Sequence, residues 1–81
     1  MGSEMCIRDS DIAALKDQLT IRIEQHQTKL GKYHRIKERF YDGKELDVNQ
    51  KGKLIALEMG IDQERQTIAR LDEAMIKIGQ L

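Results

Sequence analysis

Apolar side chains recur every three or four positions along the first half of the chain, from Asp11 to Tyr41. That spacing places them on one face of an α-helix. No proline interrupts the stretch, and either Ser10 or Asp11 can cap its start. The pattern therefore predicts a helix over residues 11–41. Its apolar face comprises Ile12, Leu15, Leu19, Ile23, Leu30, Tyr33, Ile36 and Phe40.

A break follows at Asp42 and Gly43, because glycine readily takes the left-handed conformation that ends many helices. Asp47 then stands three residues before Gln50, which is the spacing of a capping box. These signals predict a turn over residues 42–47 and a second helix over residues 48–80. The apolar face of the second helix is close to a heptad repeat, interrupted by Glu64, and comprises Leu54, Leu57, Ile61, Ile68, Leu71, Met75 and Ile78.

Two long amphipathic helices joined by a short connector lie antiparallel as neighbours. The predicted fold class is therefore all-α, a coiled-coil-like two-helix antiparallel hairpin forming one domain over residues 11–81. Pairing residues whose numbers sum to about 90 sets apolar against apolar at each level except one. At that level His26 meets Glu64, and we interpret this polar layer as setting the register. Gly31 and Gly60 are expected to face each other beside the layer formed by Leu30 and Ile61.

Residues 1–10 are set apart from this fold. The stretch MCIRDS at positions 5–10 resembles a translated reading frame of a sequencing-library adapter. The resemblance implies that residues 1–10 are a non-native or disordered segment, and a natural flexible arm is the alternative. Cys6 lies in this segment and is the one cysteine of the chain, so no intrachain disulfide is possible.

Composition agrees with a helical chain, since the 81 residues include no proline, 4% aromatic and 35% charged residues. This length is close to the size at which one core is marginal and small domains rely on disulfides, metals or oligomerisation. No stretch approaches the roughly 18 apolar residues of a membrane span. The start also lacks the order of a signal peptide. We expect a cytoplasmic protein that does not associate with membranes.

Signatures of catalysis and of cofactor binding are absent from the sequence. There is no glycine-rich phosphate loop, no acid pair beside a nucleophile and no Cys/His ligand spacing. His26 and His34 lie eight positions apart, twice the spacing that brings two metal ligands one turn apart on a helix. We therefore expect a non-enzymatic protein with no cofactor and no metal site.

Charge is divided between the two ends of the predicted hairpin. From Lys29 to Lys53 the chain has eight basic and four acidic residues, a net +4, and the remainder carries −4 because the total is zero. The basic end, which also holds aromatic rings, predicts a site for a small phosphorylated ligand or an acidic protein surface. Its candidate residues are Lys32, Tyr33, His34, Arg35, Arg39 and Tyr41. The alternatives are a solvated surface without a specific role and antiparallel self-association.

A second apolar stripe on the second helix points away from the first helix. Val48, Ile55 and Met59 repeat along it, and Ala69 and Ile76 lie partly round the same side. A single hairpin would leave these side chains in water. The stripe therefore predicts a homo-oligomer, such as a four-helix bundle or a larger ring. The predicted interface residues are Val48, Ile55, Met59 and Ile76.

The small size, the basic tip and the expected association are similar to those of phage proteins that sequester nucleotide immune signals. This fold-level similarity implies a viral anti-defence protein in the host-cell cytoplasm. The main prediction is a binding protein that sequesters a phosphorylated nucleotide-type ligand. The alternatives are a structural coiled-coil or oligomerisation module and a small inhibitor of a host enzyme. The neutral total charge and the lack of a recognition motif argue against sequence-specific binding of nucleic acid.

Overall fold

The computed structural model describes residues 9–81, which form two α-helices, α1 (Asp9–Phe40) and α2 (Val48–Gly79). The two helices pack side by side as an antiparallel hairpin, and the described residues contain no strand. The predicted fold class is thus confirmed. α1 begins two residues before the predicted start and each helix ends one residue early. The prediction for residues 1–10 lies outside the described residues, except that Asp9 and Ser10 begin α1.

The chain reverses direction through residues 41–47. The backbone N–H groups of Tyr41 and Asp42 both donate to the carbonyl oxygen of Lys37, at 3.0 and 2.9 Å. They satisfy a carbonyl that would otherwise lack a partner at the end of α1. Gly43 follows with φ 70°, in the left-handed region that a side chain would disfavour. The glycine therefore ends α1 at the position that the sequence indicates.

α2 begins with the predicted capping box. A carboxylate oxygen of Asp47 accepts a hydrogen bond from the backbone N–H of Gln50 at 2.8 Å. The side-chain oxygen of Gln50 accepts in return from the backbone N–H of Asp47 at 3.0 Å. Two N–H groups that have no partner within the helix are satisfied in this way, which fixes where α2 starts.

The seam, meaning the face of each helix that touches the other, buries few side chains. Leu19, Ile61 and Glu64 are the buried residues of the described chain. The other apolar seam residues are half-buried, and Leu15 remains 42% exposed. The hairpin is a rod with a radius of gyration of 18.5 Å, against about 12 Å for a compact domain of this length. Each helix is therefore covered on one side only.

The two glycines near the middle of the hairpin do not face each other. A Cβ atom on Gly60 would lie 3.4 Å from Cε2 of Tyr33, so Gly60 packs against the tyrosine ring. A Cβ atom on Gly31 would have no neighbour within 4 Å. The expectation of facing glycines is wrong because each helical residue rotates by about 100°. That rotation takes Gly31 away from the seam, although its height along the rod matches.

We expect Asp47→Ala to lower the free energy of unfolding by about 1 kcal/mol. The N–H of Gln50 would lose its acceptor, and the reciprocal bond to the Asp47 backbone would lose its orientation. Urea unfolding followed by circular dichroism at one fixed chain concentration measures the change. Glu45→Ala, at an exposed position of the same connector, is the control. Equal losses in the two variants would contradict a role for the capping box.

Candidate functional site

One polar layer crosses the hairpin at the level predicted from the sequence. Nδ1 of His26 lies 2.6 Å from Oε1 of Glu64. Nζ of Lys29 lies 3.9 Å from Oε2 of the same carboxylate. The Glu64 side chain is 8% exposed and that of His26 is 31% exposed. A carboxylate on α2 is thus buried against donors that α1 alone supplies.

Because of this layer, sliding α2 along α1 would cost free energy. A buried carboxylate without a hydrogen-bond donor is strongly unfavourable, whereas apolar side chains exchange neighbours at small cost. If α2 shifted by one turn, Glu64 would move from His26 toward Ile23 or Leu30. The role of this layer in setting the register stays a prediction. A buried carboxylate whose donors lie on the other helix is the geometry that this role requires.

Three of the six residues predicted to bind an anion share one exposed surface. Lys32, Arg35 and Arg39 are exposed and lie on the outer face of α1, the side opposite α2. The Arg39 guanidinium carbon lies 5.6 Å from the centroid of the Phe40 ring. Within residues 9–81 none of the three cations has a carboxylate partner. They form an open basic stripe rather than a pocket.

The other three predicted residues lie elsewhere. The ring of Tyr33 is half-buried against Gly60, between the helices, with Nζ of Lys29 5.9 Å from its centroid. His34 faces an open cleft on one flank of the hairpin, and Tyr41 is half-buried in the turn. The structure therefore does not unite the predicted cations with the predicted rings, and their binding of a ligand stays a prediction.

Side chains of both positive and negative charge line the flank cleft. Its floor includes the buried Ile61, and Nζ of Lys37 crosses to Oε2 of Glu58 at 3.4 Å. The complete lining is His34, Lys37, Glu58, Ile61, Asp62 and Arg65. With His34 neutral, the two cationic and two acidic side chains cancel, so the cleft does not favour an anion over a cation.

The outer face of α2, the side opposite α1, carries the most exposed apolar side chains. Half of the eight large apolar side chains that are exposed in the described chain lie there. Their exposed fractions are 86% for Val48, 59% for Ile55, 67% for Met59 and 62% for Ile76. These are the four residues predicted to form an oligomer interface, and the hairpin leaves all of them uncovered.

Two apolar residues depart from the sequence analysis. Phe40 was predicted on the seam but is 55% exposed at the last position of α1. Ile21, which is not among the predicted seam residues, is 52% exposed on the outer face of α1. Its spacing was the available signal, since it lies two residues from both Leu19 and Ile23 and therefore points away from the seam.

The described residues contain neither a metal site nor a membrane-spanning helix. Over residues 9–81 no three His, Cys, Asp or Glu side chains come together as a metal site would require. Across the same residues, neither helix combines the length and the apolar character needed to cross a membrane.

These features define a class of protein, a two-helix coiled-coil hairpin with one polar layer and one uncovered apolar face. A family described as Virulence activator alpha C-term matches residues 5–78. Because this match covers most of the chain, the protein belongs to the Virulence activator alpha C-term family. No curated protein and no solved structure matches the chain.

We expect His26→Leu to lower the free energy of unfolding by about 1–3 kcal/mol, because Glu64 would be buried without its closest donor. The double variant His26→Leu/Glu64→Leu should recover most of that loss, since both polar groups are then replaced together. Urea unfolding of the wild type, both single variants and the double variant forms a complete cycle. Additive losses would mean that the two residues do not act as a pair.

Proposed function

We propose that this chain is a non-enzymatic self-association module in which a second copy packs on the outer face of α2. The proposal rests on one observation, the exposure of Val48, Ile55, Met59 and Ile76 along a single helix face. Large apolar side chains that gather on one exposed face mark interaction sites. A second copy is the partner because the hairpin is too thin to cover this face itself.

The name of the family indicates the kind of protein to which this module would belong. Virulence activator alpha C-term describes the C-terminal part of an activator. We propose that the hairpin belongs to a longer protein of that kind, in which it holds two copies together. We propose the cytoplasm as its location, in agreement with the sequence prediction.

A comparison of the free energy of burial with the cost of association supports an interface at α2. Burying four such side chains in each of two copies gains on the order of 10 kcal/mol. Association of two chains costs on the order of 4–15 kcal/mol in lost freedom of motion. The apolar face is therefore of the right size to drive pairing, and the polar groups around it decide the strength.

The outer face of α1 is a poorer candidate for the same role. It exposes one large apolar side chain, Ile21, among charged residues. Covering those charges would remove them from water at a cost that ion pairs often do not recover. The charged residues on that face are Asp17, Glu24, Lys32, Arg35 and Arg39.

We expect Ile55→Asp to weaken self-association by about 100-fold or more, because each dimer would bury two unpaired carboxylates. Ile21→Asp is the matched control, since it makes the same change at a similarly exposed position, 52% against 59%, on α1. Sedimentation equilibrium over a range of concentrations measures both constants. A wild type that stays monomeric at the highest concentration, or equal weakening by the two changes, would contradict the proposal.

The basic stripe on α1 supports a second candidate function. Lys32, Arg35 and Arg39 expose cationic groups that have no carboxylate partner within residues 9–81, so they are free to bind an anion. This candidate keeps the sequence prediction of a protein that sequesters a phosphorylated nucleotide-type ligand or binds an acidic protein surface. The viral anti-defence role depends on it. The family's printed name mentions no ligand, so we rank this function second.

A panel of nucleotides in a thermal-shift assay tests the second candidate. A ligand that binds only the folded protein raises the melting temperature by mass action. The paired change Arg35→Gln/Arg39→Gln should abolish that rise, and Arg70→Gln, at an exposed position of α2, should preserve it. A panel in which no nucleotide raises the melting temperature would overturn this function without affecting the self-association module.

A further inference from the structure

The outer face of α2 carries exposed apolar side chains toward both of its ends. Positions along this face recur in alternating steps of four and three, the repeat of a coiled-coil interface, and all of them are exposed. They are Val48, Gly52, Ile55, Met59, Asp62, Gln66, Ala69, Glu73 and Ile76, of which Asp62 lies at the edge of the face and also borders the flank cleft. The polar Asp62 and Gln66 lie in the middle of the face. Apolar residues lie on either side of them, with Glu73 as the one charged side chain within either end.

We propose that two copies join antiparallel through α2, with the two-fold axis beside Asp62. This inference rests on the self-association proposed above and specifies its orientation and register. Asp62 lies midway between Val48 and Ile76, and midway between Ile55 and Ala69. Antiparallel pairing about Asp62 therefore sets Val48 against Ile76 of the second copy and Ile55 against its Ala69.

Charge complementarity selects the same orientation. Lys51 lies at the edge of this face and, in the antiparallel pair, meets Glu73 of the second copy, once on each side of the axis. The turn end of the hairpin, which contains the stretch of net charge +4 from Lys29 to Lys53, also lies over the open end of the second copy. In a parallel pair Lys51 would face its own counterpart and the two basic turn ends would lie together. Opposed charges steer partners into register, and like charges exclude the alternative.

The polar centre fits a two-fold axis as well. Two Asp62 carboxylates that meet at the axis repel each other unless a cation joins them. Arg65 lies one helical turn away, is exposed and has no carboxylate partner among the described residues, so it can reach Asp62 of the second copy. Two reciprocal ion pairs then form the centre of the interface. A polar centre between apolar ends specifies the register, as polar core positions do in coiled coils.

Disulfide trapping tests the orientation, with Cys6→Ser as the background so that the native thiol does not react. Asp62→Cys alone should form a covalent dimer, since residues beside a two-fold axis come within disulfide distance. Val48→Cys alone should not, because antiparallel pairing separates the two copies of position 48 by about 42 Å. A mixture of Val48→Cys and Ile76→Cys chains should form the mixed dimer. Gln25→Cys, on the outer face of α1, controls for random oxidation.

The outcomes separate this inference from the proposed function. Light scattering that shows a monomer would overturn both. A dimer in which Val48→Cys crosslinks to itself, or in which Gln25→Cys reacts as well as Asp62→Cys, would overturn the antiparallel register and leave self-association standing. A dimer trapped by Asp62→Cys and by the mixed pair supports both.

Charge reversal provides a second readout that needs no thiol. Lys51→Glu should weaken the dimer by about 5–10-fold at low salt, and Lys51→Glu/Glu73→Lys should restore it. Lys53→Glu makes the same charge change on the opposite side of α2 and should have little effect. Failure of the double reversal to restore affinity, or an equal effect of Lys53→Glu, would contradict the pairing of Lys51 with Glu73.

Discussion

A hairpin of two helices can cover each helix on one side only, and the rest of this structure follows from that constraint. The seam buries Leu19, Ile61 and Glu64 and leaves most of its other apolar residues half-exposed. A domain of this length already depends on a small margin between apolar burial and lost chain freedom. A further layer packed on the hairpin would bury more apolar surface, and the self-association proposed above would supply that layer on the outer face of α2.

The contact between His26 and Glu64 bears on a second property of the thin seam, namely how well it distinguishes one register from another. Apolar layers that are only half-buried distinguish poorly between neighbouring registers, because a shift of one turn replaces one aliphatic contact with another. A buried carboxylate with its donor on the other helix distinguishes strongly, since a shift leaves it unpaired. The predicted role of the pair is therefore to add specificity to a seam whose apolar contacts supply the attraction. The proposed pair of Asp62 and Arg65 would give the interface between copies the same kind of specificity.

Local signals explain why most of the hairpin was predictable. Gly43, Asp47 and Gln50 act through backbone geometry that their own chemistry determines, and the heptad of α2 encodes its seam directly. The contact of His26 with Glu64 followed from the register alone. The side of the helix on which an individual residue lies was not predictable in the same way. It depends on rotation about the helix axis as well as on position along the rod. Gly31 was placed at the right level and on the wrong side for that reason.

The candidate site was less predictable than the fold. The sequence placed Val48, Ile55, Met59 and Ile76 on an uncovered face, and their exposure agrees with that placement. It also grouped Tyr33 and His34 with the cations of α1, which the structure separates onto different sides of the hairpin. Residues that are close in sequence on a helix point in different directions, so a basic and aromatic stretch does not by itself form a pocket.

Under the self-association proposed above, the hairpin reaches its stable state by pairing with a second copy. Thermal unfolding measured over a wide range of protein concentration tests this most directly, because binding that accompanies folding makes the melting temperature depend on concentration. If two copies pair as they fold, the melting temperature rises steadily as the protein is concentrated. A melting temperature that stays constant over the whole range, with a monomeric mass throughout, would contradict it.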